Sequence, residues 1–259
     1  MKKYFDNENI FTLYLSDCNK ALKNLESQSV DMIFADPPYF LSGDGISCQS
    51  GRQVNVFKAE WDKARDLKQK HQFNRKWIRN CSRVLKDNGT IWISGTMHNI
   101  YSIGVALEEE GFSIINNITW QKPNPAPNLA CRCFTHSTET ILWARKVING
   151  KKQKHYFDYE LMKKNNNNKQ MKDVWLIKLP GKSEKAFGKH PTQKPIQLLE
   201  RIILASTKPG DLILDPFNGS GTTGIAAHSL NRRYIGIDLQ EEYLEITKKR
   251  FMELKEKNE

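Results

Sequence analysis

Short apolar runs alternate with amphipathic stretches along almost the whole chain. Runs at Phe11 to Leu15, Asp31 to Ala35, Thr90 to Ser94, Ile114 to Trp120, Thr140 to Ala144, Asp211 to Leu214 and Tyr234 to Ile237 read as buried strands. Between them, Asn19 to Leu25, Phe73 to Leu85, Ile100 to Glu110, Ile196 to Ala205, Thr222 to Leu230 and Glu241 to Lys255 carry apolar residues at helical spacing. Asn88-Gly89 after Leu85 and Gly111 after Glu110 read as helix stops. This alternation predicts an α/β fold, a mostly parallel sheet with helices on both faces. At 259 residues the chain supplies one substantial core and a small appendage. The rhythm breaks between about Gly150 and Gly188, which is basic, aromatic in places and contains four consecutive asparagines. The expected organisation is therefore a catalytic half over 1–149, an inserted basic segment over 150–188 and a second half of the same domain over 189–259. The insert reads either as a recognition segment or as a disordered loop. Gly43 to Gly51, rich in Gly and Ser, reads as a mobile loop.

Two of the strands end in motifs that carry chemistry. Val30 to Ala35 runs into Asp36-Pro37-Pro38-Tyr39, and consecutive prolines cannot continue a ladder, so the chain leaves the sheet at Asp36. A carboxylate, proline carbonyls and an aromatic face at a strand's carboxyl end suit a flat, amino-bearing ring, since ligands of open α/β sheets bind there. The plainer reading is a strand-ending turn with a surface tyrosine. Far downstream, Leu212 to Asp215 leads through Pro216-Phe217-Asn218 into Gly219-Ser220-Gly221-Thr222 and a helix-like stretch. Glycines there let backbone N–H groups approach a ligand at the positive end of the helix. The next strand ends in Asp238, at the separation from Asp215 where a Rossmann-like unit presents an acid to ribose hydroxyls. This half reads as a nucleoside pocket, neither a P-loop nor a full dinucleotide fingerprint.

Charge narrows the partner. Lys plus Arg is 40 against Asp plus Glu 29, a formal net charge of +11. From Arg145 to Lys194 there are 14 basic and 4 acidic residues, a net of +10, so nearly all the surplus lies in one fifth of the chain. Lys151, Lys152, Lys154, Lys169 and Lys172 are its candidate phosphate contacts, with a solvated face as the alternative. Arg52, Arg65, Lys68, Lys70, Arg75, Lys76 and Arg79 form a second candidate basic wall.

Taken together, Asp36-Pro37-Pro38-Tyr39 and Asp215-Pro216-Phe217-Asn218-Gly219-Ser220-Gly221-Thr222 resemble the motifs of DNA amino-methyltransferases. The target-base motif precedes the cofactor motif, which resembles the permuted order of the beta class. His190-Pro191-Thr192-Gln193-Lys194-Pro195 and Asp17-Cys18 are similar to two further blocks of that class. Segments such as Asn117 to Lys122, Asn124 to Leu129 and Phe134 to Arg145 look closest to GATC-adenine methyltransferases of DpnII-type restriction systems, in particular the DpnA type. The likeness departs around Gly43 to Trp61 and Asn149 to Asn168.

The resemblance implies a Rossmann-like methyltransferase fold, S-adenosylmethionine as cofactor and DNA as substrate, duplex and single-stranded. It implies that Asp36 and the Pro37 carbonyl accept the hydrogens of the target amino group, with Pro38 completing the turn and Tyr39 stacking on the extruded base. The cofactor would lie across Asp36, Asp215, Phe217, Asn218, Gly219, Ser220, Gly221 and Thr222, with Asp238 on the ribose, Asp17 and Cys18 at the adenine, and Thr192 or Lys194 at the methionine carboxylate. Local roles compete: Asp17 and Asp238 can each cap a following helix. Arg132, His136 and Glu139 lie in a segment resembling the family's base-proximal strand and loop, which implies contact with the target or a neighbouring base in the DNA; a core or salt-bridging role is the alternative for each. Asp rather than Ser at position 36 resembles the adenine-N6 enzymes. Cytosine-N4 or RNA adenine methylation, other acceptors, and a non-catalytic DNA-binding subunit remain open. A homodimer and a companion restriction endonuclease acting on the same site are the implied protein partners.

Other classes recede. No run approaches the roughly 18 apolar residues of a membrane span, and Met1 to Asp6 lacks the apolar run of a signal peptide, so a cytoplasmic location without membrane partners is expected. Five cysteines with no C-x-x-C pair point away from a disulfide framework or a metal site, although Cys131-Arg132-Cys133 is a conceivable ligand pair.

Overall fold

The computed structural model describes residues 1–40, 46–49, 52–55, 66–188 and 190–258, with side chains excluded for 46–49, 52–55 and 258. Among the described residues twelve strands and seven α-helices follow one another. In chain order they are β1 (Lys2–Asn7), β2 (Phe11–Leu15), α1 (Cys18–Asn24), β3 (Val30–Ala35), β4 (Ile46–Gln49), β5 (Arg52–Asn55), α2 (Leu67–Val84), β6 (Leu85–Gly95), α3 (Ile100–Glu109) and β7 (Phe112–Gln121). The remainder are β8 (Thr138–Ile148), β9 (Lys151–Lys152), α4 (Tyr159–Lys164), β10 (Val174–Leu176), α5 (Ile196–Ser206), β11 (Leu212–Asp215), α6 (Thr222–Ser229), β12 (Arg233–Asp238) and α7 (Glu241–Asn258). The principal sheet has the order β1-β2-β12-β11-β3-β6-β8-β7-β10, with β9 paired to β8, while β4 and β5 form a separate hairpin.

From β2 to β6 neighbouring strands are parallel, while edge strand β1 runs against β2, and β8 runs against β6 and β7. The carboxyl ends of β2, β12, β11, β3, β6 and β7 therefore share one edge, and β8 starts there. Alternate residues of the central strands enter opposite cores. Met32, Phe34 and Trp92 join a layer with Leu198 and Ile202 of α5 and Ala226 of α6; Ile33, Ala35, Ile91 and Ile93 join one with Trp77 and Ile78 of α2 and Ile103 of α3. Cover on both faces explains why these strands read as unbroken apolar runs. Among the described residues no helix is long and apolar enough to cross a membrane.

Three local expectations change. Helix α2 begins at Leu67, capped by the Asp66 carboxylate on the Gln69 N–H at 2.7 Å; its first turn is polar and carries no apolar periodicity. Asn88-Gly89 is not its stop: the helix passes into β6 at Leu85, whose backbone is already extended, and both residues lie in the strand. Gly111 does end its helix, with φ 80°. Within 150–188, α4 packs against α5, and β10 adds a parallel edge strand beside β7 with Trp175 in the core. Apart from β4, the predicted loop from Gly43 to Gly51 lies outside the described residues, as does Arg65.

Candidate active site

Strand β3 delivers Asp36 to the carboxyl edge, and the two prolines turn the chain out of the sheet. A buried relay fixes that turn: the Asn99 amide donates to the Pro38 carbonyl at 2.9 Å, the Asn74 amide donates to Asn99 at 2.7 Å, and the Trp77 indole donates to Asn74 at 3.3 Å. Phe40 then adopts a φ of 57°, rare for a bulky side chain, and packs edge-on against Phe73 of α2.

The Asp36 carboxylate is held on both oxygens. The Tyr39 hydroxyl donates to Oδ1 at 2.6 Å and the Lys194 ammonium to Oδ2 at 2.5 Å. Lys194 Nζ also donates to the Tyr39 hydroxyl at 2.9 Å and lies 3.5 Å from Glu139 at the start of β8. Glu139 accepts from Lys122 at 2.5 Å and sits 3.3 Å from the Tyr39 hydroxyl. The cluster is nearly closed to water: the side chains of Lys194, Asp36 and Glu139 are 5%, 13% and 12% exposed. Burial pushes the Asp36 carboxyl up, against the pull of Lys194. For Glu139 burial acts the same way, but Lys194 and Lys122 outweigh it and hold the group low. Burial alone would lower Lys194; Asp36 and Glu139 reverse that and raise it. Tyr39 is pushed well above its ordinary value, by burial first and then by the two carboxylates, so it stays a phenol and donates.

The second motif builds the other end. Asp215, at the tip of β11, accepts from the Phe217 N–H at 3.0 Å and the Thr223 hydroxyl at 2.6 Å. Gly219 turns at φ 51° and its N–H donates to Asp238 at 2.7 Å, while the Gln240 N–H donates to the other oxygen at 2.9 Å. Asp17 caps α1 through the Lys20 N–H at 3.0 Å, and the Ser16 N–H donates to the Asp238 carbonyl at 2.9 Å, which sets the two acids side by side. The capping role of Asp17 is thus realised, whereas Asp238 accepts from Gln240, the residue before α7, and from Gly219 rather than from the first turn of that helix.

One cavity of about 260 Å³ joins the two motifs. Asp17, Cys18, Asp36, Pro37, Pro38, Tyr39, Thr192, Lys194, Asp215, Phe217, Asn218, Gly219, Ser220, Thr222 and Asp238 all line it. Gly221 does not: it faces α7, where a β-carbon would overlap Thr247 Cγ2, and its φ of 74° makes it the turn into α6. The family likeness offers Lys194 to the cofactor carboxylate, whereas the structure pairs it with Asp36. Phe73, His190 and Tyr243 also line the cavity and have no role in the motif reading; His190 lies in one of the family-like blocks, but its ring packs edge-on at 4.5 Å against Tyr243 of α7, a contact that only the fold creates.

Burial pushes Asp215 up to about 7 and Asp238 up to about 6. A carboxyl raised above its unfolded value near 3.9 contributes stability that is complete below that value and lost as pH rises through the folded one. Stability should therefore fall between about pH 4 and about 7, at up to about 1.4 kcal/mol per pH unit for Asp215. Melting temperatures from pH 5 to 8 should decline more steeply in the ligand-free wild type than in Asp215→Asn; parallel curves would refute the shift.

The candidate DNA contacts separate into two groups. Arg132 and His136 are exposed on the 122–137 loop, which joins β7 to β8 at the sheet edge where β8 starts, with Phe134 96% exposed beside them. Lys172 precedes β10, whose first residue pairs with Thr119 near the same edge, and Lys169 is exposed between α4 and β10. Lys151 and Lys152 pair with Ile148 and Val147 at the far end of β8, nine residues beyond Glu139, which at about 3.3 Å per residue is roughly 30 Å from the acid cluster. Lys154 follows them there, next to His155, whose ring meets Arg145. These three are not brought to the site. Arg75 and Arg79 of the second basic wall are engaged by Glu110, at 2.9 and 2.8 Å. Lys178, Lys182 and Lys185, also within the basic segment, follow β10, which runs parallel to β7 and so ends at the same sheet edge; the Glu184 carboxylate accepts from the Ile196 N–H at the start of α5 at 2.8 Å.

A cavity with an acid at each strand end and a glycine whose β-carbon would press on His190 fits an adenosyl sulfonium in size and donor set. The model of a DNA methylase family matches residues 30–249. The chain is 64% identical to the type II methyltransferase M2.DpnII of Streptococcus pneumoniae over 96% of its length and 92% of that protein's. It is 52% identical to M2.MboI of Moraxella bovis, over 98% and 92%. Among solved structures, M1.HpyAVI with S-adenosylmethionine superposes with a TM-score of 0.69 at 33% identity, covering 93% of this chain and 98% of that one. The cytosine-N4-specific PvuII methyltransferase shares the fold, with a TM-score of 0.73 at 20% identity over 93% of this chain and 86% of that one. The chain belongs to the DNA methylase family, as an S-adenosylmethionine-dependent, site-specific DNA methyltransferase.

Proposed function

We propose that the enzyme methylates adenine N6, within GATC, on single-stranded as well as duplex DNA, and protects host DNA beside an endonuclease of the same specificity. The observation that carries the adenine reading is Asp36 itself, a buried carboxylate at the first position of the motif, aimed into the cofactor cavity. The GATC site rests on the likeness to DpnII-type enzymes. A homodimer and a companion endonuclease belong to the same reading.

An exocyclic amino nitrogen is a poor nucleophile because its lone pair is delocalised into the ring. Asp36 and the Pro37 carbonyl accept its two hydrogens and bend it toward a tetrahedral geometry; the anionic Asp36 also stabilises the positive charge that develops on nitrogen. The cofactor supplies an activated methyl group on sulfonium sulfur. Held in a protein cavity, donor and acceptor gain from proximity rather than from any further activation. A duplex base must first leave the stack, at a cost of a few kcal/mol. The loop bearing Arg132, Phe134 and His136 joins β7 to β8 at the sheet edge that carries Asp36, and we assign Phe134, almost fully exposed on it, to the gap that the base leaves. Phe134→Ala should therefore slow methylation of duplex DNA about tenfold or more and of single strands less than about threefold. Equal losses on both substrates would remove the wedge role.

Lys178 and Lys182 are the phosphate contacts that the fold favours, in place of Lys151 and Lys152. Replacing the first pair by alanine should weaken DNA binding and lower the salt slope by about one for each phosphate no longer neutralised. Replacing the second pair should leave both within error, and the opposite ranking would reinstate the far-end lysines.

The direct test is transfer of labelled methyl to paired oligonucleotides with GATC, with its adenine replaced, each single- and double-stranded. Adenine-dependent label on both forms supports the proposal. Label on cytosine, or on sites other than GATC, overturns the corresponding part.

A further inference from the structure

Both oxygens of Asp36 already accept a hydrogen bond from the protein, and although each keeps a second acceptor direction, the Lys194 ammonium stands on Oδ2 beside the place where the amino nitrogen must turn positive. Tyr39 Oη holds Oδ1 at 2.6 Å and belongs to the Pro-Pro turn that Asn99 pins. Lys194, on a flexible stem, holds Oδ2 at 2.5 Å, and its ammonium is shared: a second anion, Glu139, lies 3.5 Å away. Glu139 is itself fixed from the other side. Its Oε1 accepts from Lys122 at 2.5 Å, and the Lys122 N–H donates to the Ser137 carbonyl at 2.8 Å, so the carboxylate is aimed before substrate arrives.

We propose that Glu139 is a positioning residue for methyl transfer: it takes the Lys194 ammonium when the target amino group takes Oδ2 of Asp36. This rests on the reading of Asp36 as acceptor of the amino hydrogen. The charge balance supports it. Two carboxylates and two ammonium groups make a neutral buried cluster, and losing Asp36 as its partner would leave Lys194 an unpaired buried cation, which is strongly unfavourable. With Glu139 the ammonium changes partner over about 1 Å and is never unpaired. The move also clears a positive charge from the place where the amino nitrogen becomes positive, removing like-charge repulsion at the moment of reaction.

The test is a cycle of Glu139→Gln, Lys194→Met and the double variant, read by single-turnover methyl transfer to whichever DNA the wild type methylates. The wild-type rate tests the underlying reading; the ratio between backgrounds tests the inference. Glu139→Gln should slow transfer by about ten- to a hundredfold with Lys194 present, and by less than about threefold once Lys194 is Met. Equal losses in both backgrounds would mean that Glu139 acts independently of Lys194. Should the Met background prove too slow to measure, a crystal structure of the wild type with the demethylated cofactor product and an oligonucleotide decides. Lys194 Nζ is expected within about 3.2 Å of Glu139 and beyond hydrogen-bond reach of Asp36; an ammonium still on Asp36 beside a bound base overturns the proposal.

Discussion

Asp36→Asn is expected to abolish measurable methyl transfer while leaving S-adenosylmethionine affinity within about threefold. The substitution keeps shape and one acceptor oxygen but turns the other position into an N–H donor. Two donors, Lys194 and the target amino group, then face it, so the developing charge on nitrogen meets a repulsive dipole in place of a carboxylate. Loss of one preorganised partner of a developing charge costs about 10²–10³ in rate, and loss of the anion adds to that. Asp36→Ala should be as inactive and still folded, because Glu139 remains 3.5 Å from Lys194 to balance it. Affinity for the cofactor is spared because Asp215, Gly219 and Asp238 are held by bonds of their own, the Thr223 hydroxyl, the Phe217 and Gln240 N–H groups and the Gly219–Asp238 pair. Calorimetry beside a filter-bound transfer assay separates the outcomes. If binding and transfer disappear together, Asp36 supports the pocket rather than the chemistry.

What can be read from the chain follows from which interactions are local. Asp36 is visible because two prolines stop a strand wherever they occur, and Asp215 and Asp238 because each ends an apolar run. The elements β2, β3, β11 and β12 follow from covered faces, which leave no polar alternation to confuse. Glu139 and Lys122 cannot be read as one charge cluster with Lys194, since their meeting depends on the antiparallel register of β7 and β8, where Gln121 stands opposite Thr138. The same register defeats Lys151 and Lys152: they belong to the most basic part of the sequence, but β8 carries them away from the site. Asn74 and Asn99 give no signal at all, because a buried amide relay between two helices has no periodicity. Edge strands β1 and β10 escape a sequence reading for a related reason: Lys2–Asn7 carries polar residues on both faces, and Val174–Leu176 is too short for alternation to show.

Gly221 is the residue whose local reading is most misleading, and its replacement is expected to be the most damaging to the fold. In a Gly-Ser-Gly turn both glycines suggest close approach to a ligand. Gly219 does line the cavity, but Gly221 meets Thr247 of α7, with Oγ1 and Cβ at 2.5 and 2.8 Å from the position of an added β-carbon and Cγ2 closer still. Thr247 cannot simply turn away, since its hydroxyl donates to the Tyr243 carbonyl at 2.9 Å and accepts from Asn218 at 2.9 Å. A left-handed φ adds about 1–2 kcal/mol for any residue with a side chain, and overpacking about 1–3 kcal/mol. Together they amount to roughly 2–5 kcal/mol, a fall of about 5–15 °C in melting temperature for a chain of this size. Because Asn218 and Gly219 lie between this contact and the cavity, Gly221→Ala should also weaken S-adenosylmethionine binding without touching it. Adding Thr247→Ala removes the two nearest clashing atoms but neither the Cβ contact nor the φ strain, so only part of the melting temperature should return. Scanning calorimetry of the single and double variants checks this; if Gly221→Ala melts within about 2 °C of the wild type, the α6–α7 contact is not what requires glycine.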